Sequence, residues 1–126
     1  MRLYQGIDIV NVERLHAVMD RNEAFASDVF TQREREYCLR HRHPHVHFAG
    51  RFAAKEAFLK AIGVGFSTIG VFSAIEVSVM PSGRPTLELN GWADRLVRRL
   101  RAQEATVSIS HTPQFAVSSV ILLRGQ

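Results

Sequence analysis

Two carboxylates and one lysine occupy positions where their neighbours make them costly. In Phe48-Ala49-Gly50-Arg51-Phe52-Ala53-Ala54-Lys55-Glu56-Ala57-Phe58-Leu59-Lys60, a helical turn of about 100° per residue places Phe48, Ala49, Phe52, Ala53, Ala57 and Leu59 on one arc. Glu56 falls near the centre of that arc and Lys60 beside it, while Arg51 and Lys55 fall outside it. A carboxylate on an apolar face is unfavourable unless it is paired or holds a cation. The ordinary alternative is a local Glu56–Lys60 pair at i, i+4, worth a few tenths of a kcal/mol on an exposed helix.

Asp8 is the second misfit, because aspartate is depleted from strand interiors and Ile7, Ile9 and Val10 surround it. The plainer account puts Asp8 at a strand end, helping to cap the next helix. Two carboxylates from separate elements also suit magnesium, which commonly takes one or two protein carboxylates and fills its remaining positions with water and phosphate oxygens. His41-Arg42-His43-Pro44-His45-Val46-His47 lacks the i, i+4 histidine pair of helical zinc sites, and Cys38 is the single cysteine. This tract reads as a solvated loop. His111 ends an apolar run at a tight turn, where a side chain readily faces a ligand. There is no Walker loop and no dinucleotide-binding glycine pattern.

These residues must be positioned by elements the sequence announces. Gly6–Val10 reads as a strand, and Asn11 as the cap of a helix over about Val12–Met19. Thr31-Gln32-Arg33-Glu34 is a capping box opening a helix to about Arg40. Pro44 permits a new helix, and the run Val46–Ile62 stops at Gly63. Gly65 and Gly70 bracket an irregular stretch. Ile75–Val79 and Thr86–Leu89 alternate as half-buried strands around a turn-rich loop, Met80–Pro85. A helix is predicted over about Gly91–Gln103, and two strands, Thr106–Ser110 and Phe115–Leu123, flank His111–Gln114. The expectation is an α+β fold with a helix-rich N-terminal half packed on a small antiparallel sheet.

The 126 residues fit one domain, 1–126. A formal charge of +4 and a pI near 10 favour an anionic partner. The lone cysteine precludes an intrachain disulfide. The start lacks a signal-peptide layout, and no apolar run reaches the roughly 20 residues that span a bilayer. A cytoplasmic protein that does not act at a membrane is expected. Arg95, Arg98, Arg99 and Arg101 could form a phosphate-contacting face of a nucleic-acid-binding module. No recognised nucleic-acid motif accompanies them, and aromatic residues are not interleaved with them.

Three stretches in register resemble the holo-[acyl-carrier-protein] synthases, the small bacterial class of 4′-phosphopantetheinyl transferases. They are Gly6-Ile7-Asp8-Ile9-Val10 with Arg14, Phe48 through Gly65, and Ser108-Ile109-Ser110-His111-Thr112 with Ala116. The most specific is Arg51-Phe52-Ala53-Ala54-Lys55-Glu56-Ala57-Phe58-x-Lys60-Ala61, and the match runs over almost the whole chain.

The resemblance implies a magnesium-dependent enzyme that moves the 4′-phosphopantetheine of coenzyme A to a serine of apo acyl carrier protein. The products are holo carrier protein and 3′,5′-ADP, in support of fatty acid biosynthesis. Asp8 and Glu56 match the magnesium ligands, and Lys60 the lysine near the diphosphate. Arg42, Arg51 and His111 align with coenzyme A contacts, Gly83-Arg84-Pro85 with the loop near the adenine, and Arg14 with a contact to the acidic carrier. Glu56, or a magnesium-bound water that it positions, is the implied base for the serine hydroxyl, with Lys60 as electrostatic partner of the leaving group. Ser82 stands where the family often has asparagine, and the histidine-rich tract replaces a segment richer in lysine and glutamate. Family members form homotrimers with active sites between subunits, so some coenzyme contacts are expected from a neighbouring copy.

Overall fold

The computed structural model describes residues 1–64 and 72–125. The Gly65 and Gly70 expectations, and the end of the stretch Phe48 to Gly65, lie outside the described residues. Strand β1 (Arg2–Asn11) leads into helix α1 (Val12–Arg21), then α2 (Glu23–Val29), α3 (Gln32–Leu39) and the long α4 (Pro44–Ile62). A short 3₁₀ turn, Phe72–Ala74, precedes the hairpin β2 (Ile75–Val79) and β3 (Pro85–Leu89). Helix α5 (Gly91–Arg99) and strands β4 (Ala102–His111) and β5 (Phe115–Arg124) complete the chain. The strands form a three-stranded antiparallel sheet, in the order β1-β5-β4, and the separate β2-β3 ribbon.

The capping residues act as the sequence predicts. Asn11 Oδ1 accepts from the Arg14 amide at 2.9 Å. The Thr31 amide donates to Glu34 Oε1 at 2.9 Å, and the Glu34 amide to Thr31 Oγ1 at 3.2 Å. Pro44 opens α4, and Gly63, at φ 76°, ends it in the left-handed region that glycine enters without steric cost.

Several elements differ from expectation, and β1 begins at Arg2, four residues before Gly6. Helix α2, capped by Asn22, forms between the first two predicted helices, where the sequence pattern predicts no element. Helix α5 stops at Arg99 rather than Gln103: Arg101 turns to φ 58°, and β4 begins at Ala102, four residues before the predicted strand start.

Helix α4 lies across β1 and β5 through Ala53, Ala57 and Ala61, all buried. Gly6 sets the spacing. A Cβ there would lie 1.9 Å from the Ala57 carbonyl oxygen and 2.6 Å from the Ala61 amide nitrogen. The strand and helix backbones therefore touch at a point only glycine can occupy. Since side chains two residues apart share a strand face, Asp8 is carried on the same face of β1, next to the C-terminal half of α4. Among the described residues, no helix is long and apolar enough to cross a membrane.

Arg51 and Lys55, outside the apolar arc in the sequence, are instead buried. Helix α4 is covered on more than one side, because α3, the 3₁₀ turn and β2 close over the flank that carries Lys55. Its Nζ lies 2.8 Å from Glu34 Oε1, and both side chains are fully buried. The ammonium also donates to the Phe72 carbonyl at 3.2 Å and to the Ile75 carbonyl. Glu34 Oε2 accepts from the Val77 amide at 2.9 Å. Glu34 thus caps α3 and ties α3, α4 and β2 together, a role its place in a capping box does not disclose.

Candidate active site

The strand–helix contact at Gly6 brings three of the sequence-predicted residues together. Lys60 Nζ lies 3.0 Å from Asp8 Oδ1 and donates to the Ile7 carbonyl at 3.1 Å. Glu56, one turn before Lys60, shares with Asp8 a cleft of about 350 Å³ whose walls include Arg14, Leu15, Phe25 and Phe52. Phe52, Glu56 and Lys60 follow one another at i, i+4, so a single stripe of α4 runs along the cleft toward β1.

The local Glu56–Lys60 pair is not among the ion pairs of the described residues. Lys60 reaches across to Asp8 instead, and the strand-end capping account of Asp8 gives way to that contact. Asn11 performs the capping.

The electrostatics of Glu56 follow from this arrangement. Partial burial, and secondarily the negative charge of Asp8, hold its carboxyl above the usual 4.5, while Lys60 opposes them. Asp8 is paired with Lys60, whereas Glu56 has no salt-bridge partner among the described residues, and a divalent cation shared by the two carboxylates would supply one. Among the described residues there is no group of three or more histidine, cysteine, aspartate or glutamate side chains suited to a metal. A two-carboxylate donor set of hard oxygens fits magnesium, which completes its shell with water and substrate oxygens, better than it fits zinc or copper.

The other predicted residues fall into separate groups. Arg51 is buried with its guanidinium stacked 3.9 Å from the centre of the Tyr37 ring, and among the described residues its Nε has no hydrogen-bond partner. Near it, His47 lies between His41 and His111, with ring centres at 3.9 and 5.4 Å. Burial first, then the charges of His41, Arg51 and His111, push the His47 imidazole down to about 4. His41 Nδ1 donates to the Tyr37 carbonyl at 2.7 Å.

The histidine tract is therefore only partly a solvated loop, since His41 and His47 pack into an aromatic and cationic cluster beside the predicted coenzyme contacts Arg51 and His111. Arg42 is exposed in the turn between α3 and α4. Gly83 and Arg84 are exposed at the tip of the β2-β3 hairpin and Pro85 opens β3. The tip is closed by the Met80 amide donating to the Arg84 carbonyl at 2.8 Å. Neither Arg42 nor the hairpin tip lines the Asp8–Glu56 cleft of its own chain. Arg14 does, on the first turn of α1 that Asn11 fixes.

Residues 5–117 match the family described as the 4′-phosphopantetheinyl transferase superfamily. The holo-[acyl-carrier-protein] synthase of Koribacter versatilis is 42% identical over 123 residues, covering 97% of this chain and 98% of its own length. That of Halothermothrix orenii is 42% identical over 117 residues, covering 92% and 93%. Among solved structures, the Chronobacterium ammoniagenes ACPS–CoA complex superposes with a TM-score of 0.88 at 26% identity, covering all of both chains. The Bacillus anthracis holo-(acyl-carrier-protein) synthase in complex with CoA (3′,5′-ADP) superposes at 0.78 with 31% identity, covering 97% of this chain and 96% of that one. The alternating helices and small antiparallel sheets, the Gly6 contact that joins β1 to α4 and this near end-to-end similarity lead to one assignment: the chain belongs to the 4′-phosphopantetheinyl transferase superfamily.

Proposed function

We propose that this chain is a holo-[acyl-carrier-protein] synthase. As a single transferase domain, it moves the 4′-phosphopantetheine of coenzyme A onto a serine of apo acyl carrier protein in support of fatty acid biosynthesis. The serine oxygen forms a bond to the β-phosphorus, the bond from that phosphorus to the bridging oxygen breaks, and 3′,5′-ADP leaves. The supporting observation is the meeting of Asp8, Glu56 and Lys60 across the β1–α4 contact, at one end of a cleft that also presents Arg14.

Magnesium is the proposed cofactor, with Asp8 and Glu56 as its protein ligands. When bound, it supplies Lewis-acid neutralisation of charge on the departing diphosphate. Lys60, an ammonium held by Asp8 and the Ile7 carbonyl, faces the same leaving group and offsets its growing negative charge. Glu56 is the proposed acceptor of the serine proton, directly or through a water that it positions, because a serine hydroxyl is a weak nucleophile that must lose its proton as it attacks. Phe52 and Phe25 wall the cleft on its apolar side and limit water at the reacting atoms.

Arg51 and His111 are proposed to receive the phosphates of the adenosine end, with Arg42 beside them and Gly83, Arg84 and Pro85 near the adenine. Arg14 is proposed to meet the acidic carrier protein. The proposed homotrimer finds support in the uncovered face of β1, where Leu3, Ile7 and Ile9 are 63%, 59% and 65% exposed. A monomer has little reason to show such an apolar row. A neighbouring copy seated there would also supply groups, Arg84 among them, that do not line the cleft of their own chain. The proposed setting is the cytoplasm.

The test is the mass of apo acyl carrier protein after incubation with coenzyme A, magnesium and this protein. A gain of one phosphopantetheine on the carrier serine is expected, lost on chelation and restored by magnesium. No gain with either magnesium or manganese would overturn the assignment.

A further inference from the structure

The face of β1 that carries Asp8 has a second charged end. Arg2, Tyr4, Gly6 and Asp8 alternate on that face, and at about 3.3 Å per residue Arg2 lies roughly 20 Å from Asp8. Arg124 is the register partner of Arg2 on β5 and of Ala102 on β4. Arg2, Arg101, Gln103 and Arg124 line a cleft of about 490 Å³ at this end. It also takes in Met1 and Gly125, at the end of the sheet where β1 begins, rather than Ile7 and Ile9 farther along the strand. Among the described residues, none of the three arginines has a carboxylate within 4 Å.

Two further observations set this cleft apart from a scatter of surface arginines. Arg101 is, among the described residues, the one non-glycine residue at positive φ, 58°. It stands just past the end of α5, where glycine or asparagine would relax the backbone. A strained backbone at a charged residue signals that the side chain, rather than the backbone, is what the position requires. Tyr4 also points its phenol among these cations. Hydrogen bonds from Arg124 and Arg2 pull it below its ordinary 10.0. Three guanidiniums, a phenol and the Gln103 amide gather at this end of the sheet, and among the described residues no carboxylate pairs with the three guanidiniums.

We propose that Arg2, Arg101 and Arg124, with Tyr4 and Gln103, form a second anion site that takes a compact, multiply charged phosphate such as a diphosphate group. Planar guanidiniums pair with adjacent phosphate oxygens in a forked geometry that lysines do not reproduce. The cleft is within the range that holds small ligands, and it lies too far from Asp8 and Glu56 for one diphosphate to touch both. The site does not rest on the transfer reaction.

The test is calorimetric titration of the full chain with inorganic pyrophosphate at fixed ionic strength, for the wild type, Arg101→Gly, Arg124→Gln and Glu56→Gln. Arg101→Gly removes the guanidinium while relieving the left-handed backbone. Its unfolding temperature without ligand is therefore expected to equal or exceed that of the wild type, and its affinity for pyrophosphate to fall roughly tenfold to a hundredfold. Arg124→Gln is expected to weaken binding similarly, and Glu56→Gln to leave this binding event in place. Adenosine 5′-diphosphate serves as the second arm: equal affinity identifies the diphosphate alone as the recognised group, and tighter binding identifies a nucleotide. The proposal is overturned if the wild type shows no saturable binding to pyrophosphate, or if neither arginine substitution alters it.

Discussion

Substituting Gly6 with alanine tests how closely the site depends on the β1–α4 contact. The added Cβ would sit 1.9 Å from the Ala57 carbonyl oxygen, a main-chain atom that cannot swing away. Restoring even a tight contact requires strand and helix to part by roughly 1 Å, and a displacement of that size can cost about 100-fold in rate when it misplaces reacting groups. Asp8 travels with the strand, and Glu56 and Lys60 with the helix, so the shift falls directly between them. Overpacking at such a point also costs about 1–3 kcal/mol of stability. Gly50→Ala is the comparison: its Cβ would meet the Cγ2 methyl of Ile109 at 2.8 Å, a stiff β-branched side chain that must shift as well, but at a place that does not lie between Asp8 and Glu56. The expected result is a folded Gly6→Ala protein with a lowered unfolding temperature and about 100-fold slower carrier modification, beside a Gly50→Ala protein that also loses stability but keeps turnover near wild type. Wild-type turnover in Gly6→Ala would refute the claim that this contact sets the geometry of the site.

Further outcomes follow from the same structure. Lys55→Met leaves the Glu34 carboxylate buried without its ammonium, and a loss of about 3–5 kcal/mol in denaturant unfolding is expected; a loss below about 1 kcal/mol would mean that the amides of Thr31 and Val77 suffice. Arg14→Ala is expected to raise the KM for carrier protein and leave that for coenzyme A unchanged, and the reverse pattern would place Arg14 at the coenzyme. Glu56 is held above 4.5 by burial and then by Asp8, so the folded apoprotein binds this proton more tightly than the unfolded chain. That contribution to stability is complete below 4.5 and disappears as pH rises through the raised value. Magnesium competes with the proton, so its affinity should climb with pH across the window just above 4.5, with proton release on binding seen by calorimetry in buffers of different ionisation enthalpy; pH-independent affinity there would remove Glu56 from the ligand set.

Much of this was legible in the residues because local signals decided it. Asn11, the Thr31–Glu34 box, Pro44 and Gly63 bound their helices by hydrogen bonds and backbone preferences that act within a few positions. Asp8 stood out because a strand interior is a poor place for a carboxylate, and Glu56 with Lys60 because helical spacing put them on an apolar stripe. What escaped was decided by distant chain. The burial of Lys55 requires Glu34, 21 positions earlier, and the carbonyl of Ile75, 20 positions later. Helical periodicity carries no information about what covers the other side of α4. Likewise, the clustering of His47 with His111 depends on the C-terminal end of β4 meeting the start of α4. Helix α5 ended early because Arg101 adopts a conformation that its residue type disfavours, so no breaker marked the boundary.

The most direct test of the site compares wild type with Glu56→Gln, a change that preserves shape and removes one charge, by intact mass of the carrier after equal incubation. The two proteins should unfold at similar temperatures, while the variant converts almost no carrier to the phosphopantetheinylated form. Conversion at the wild-type rate would mean that the carboxylate beside Asp8 takes no part in the transfer.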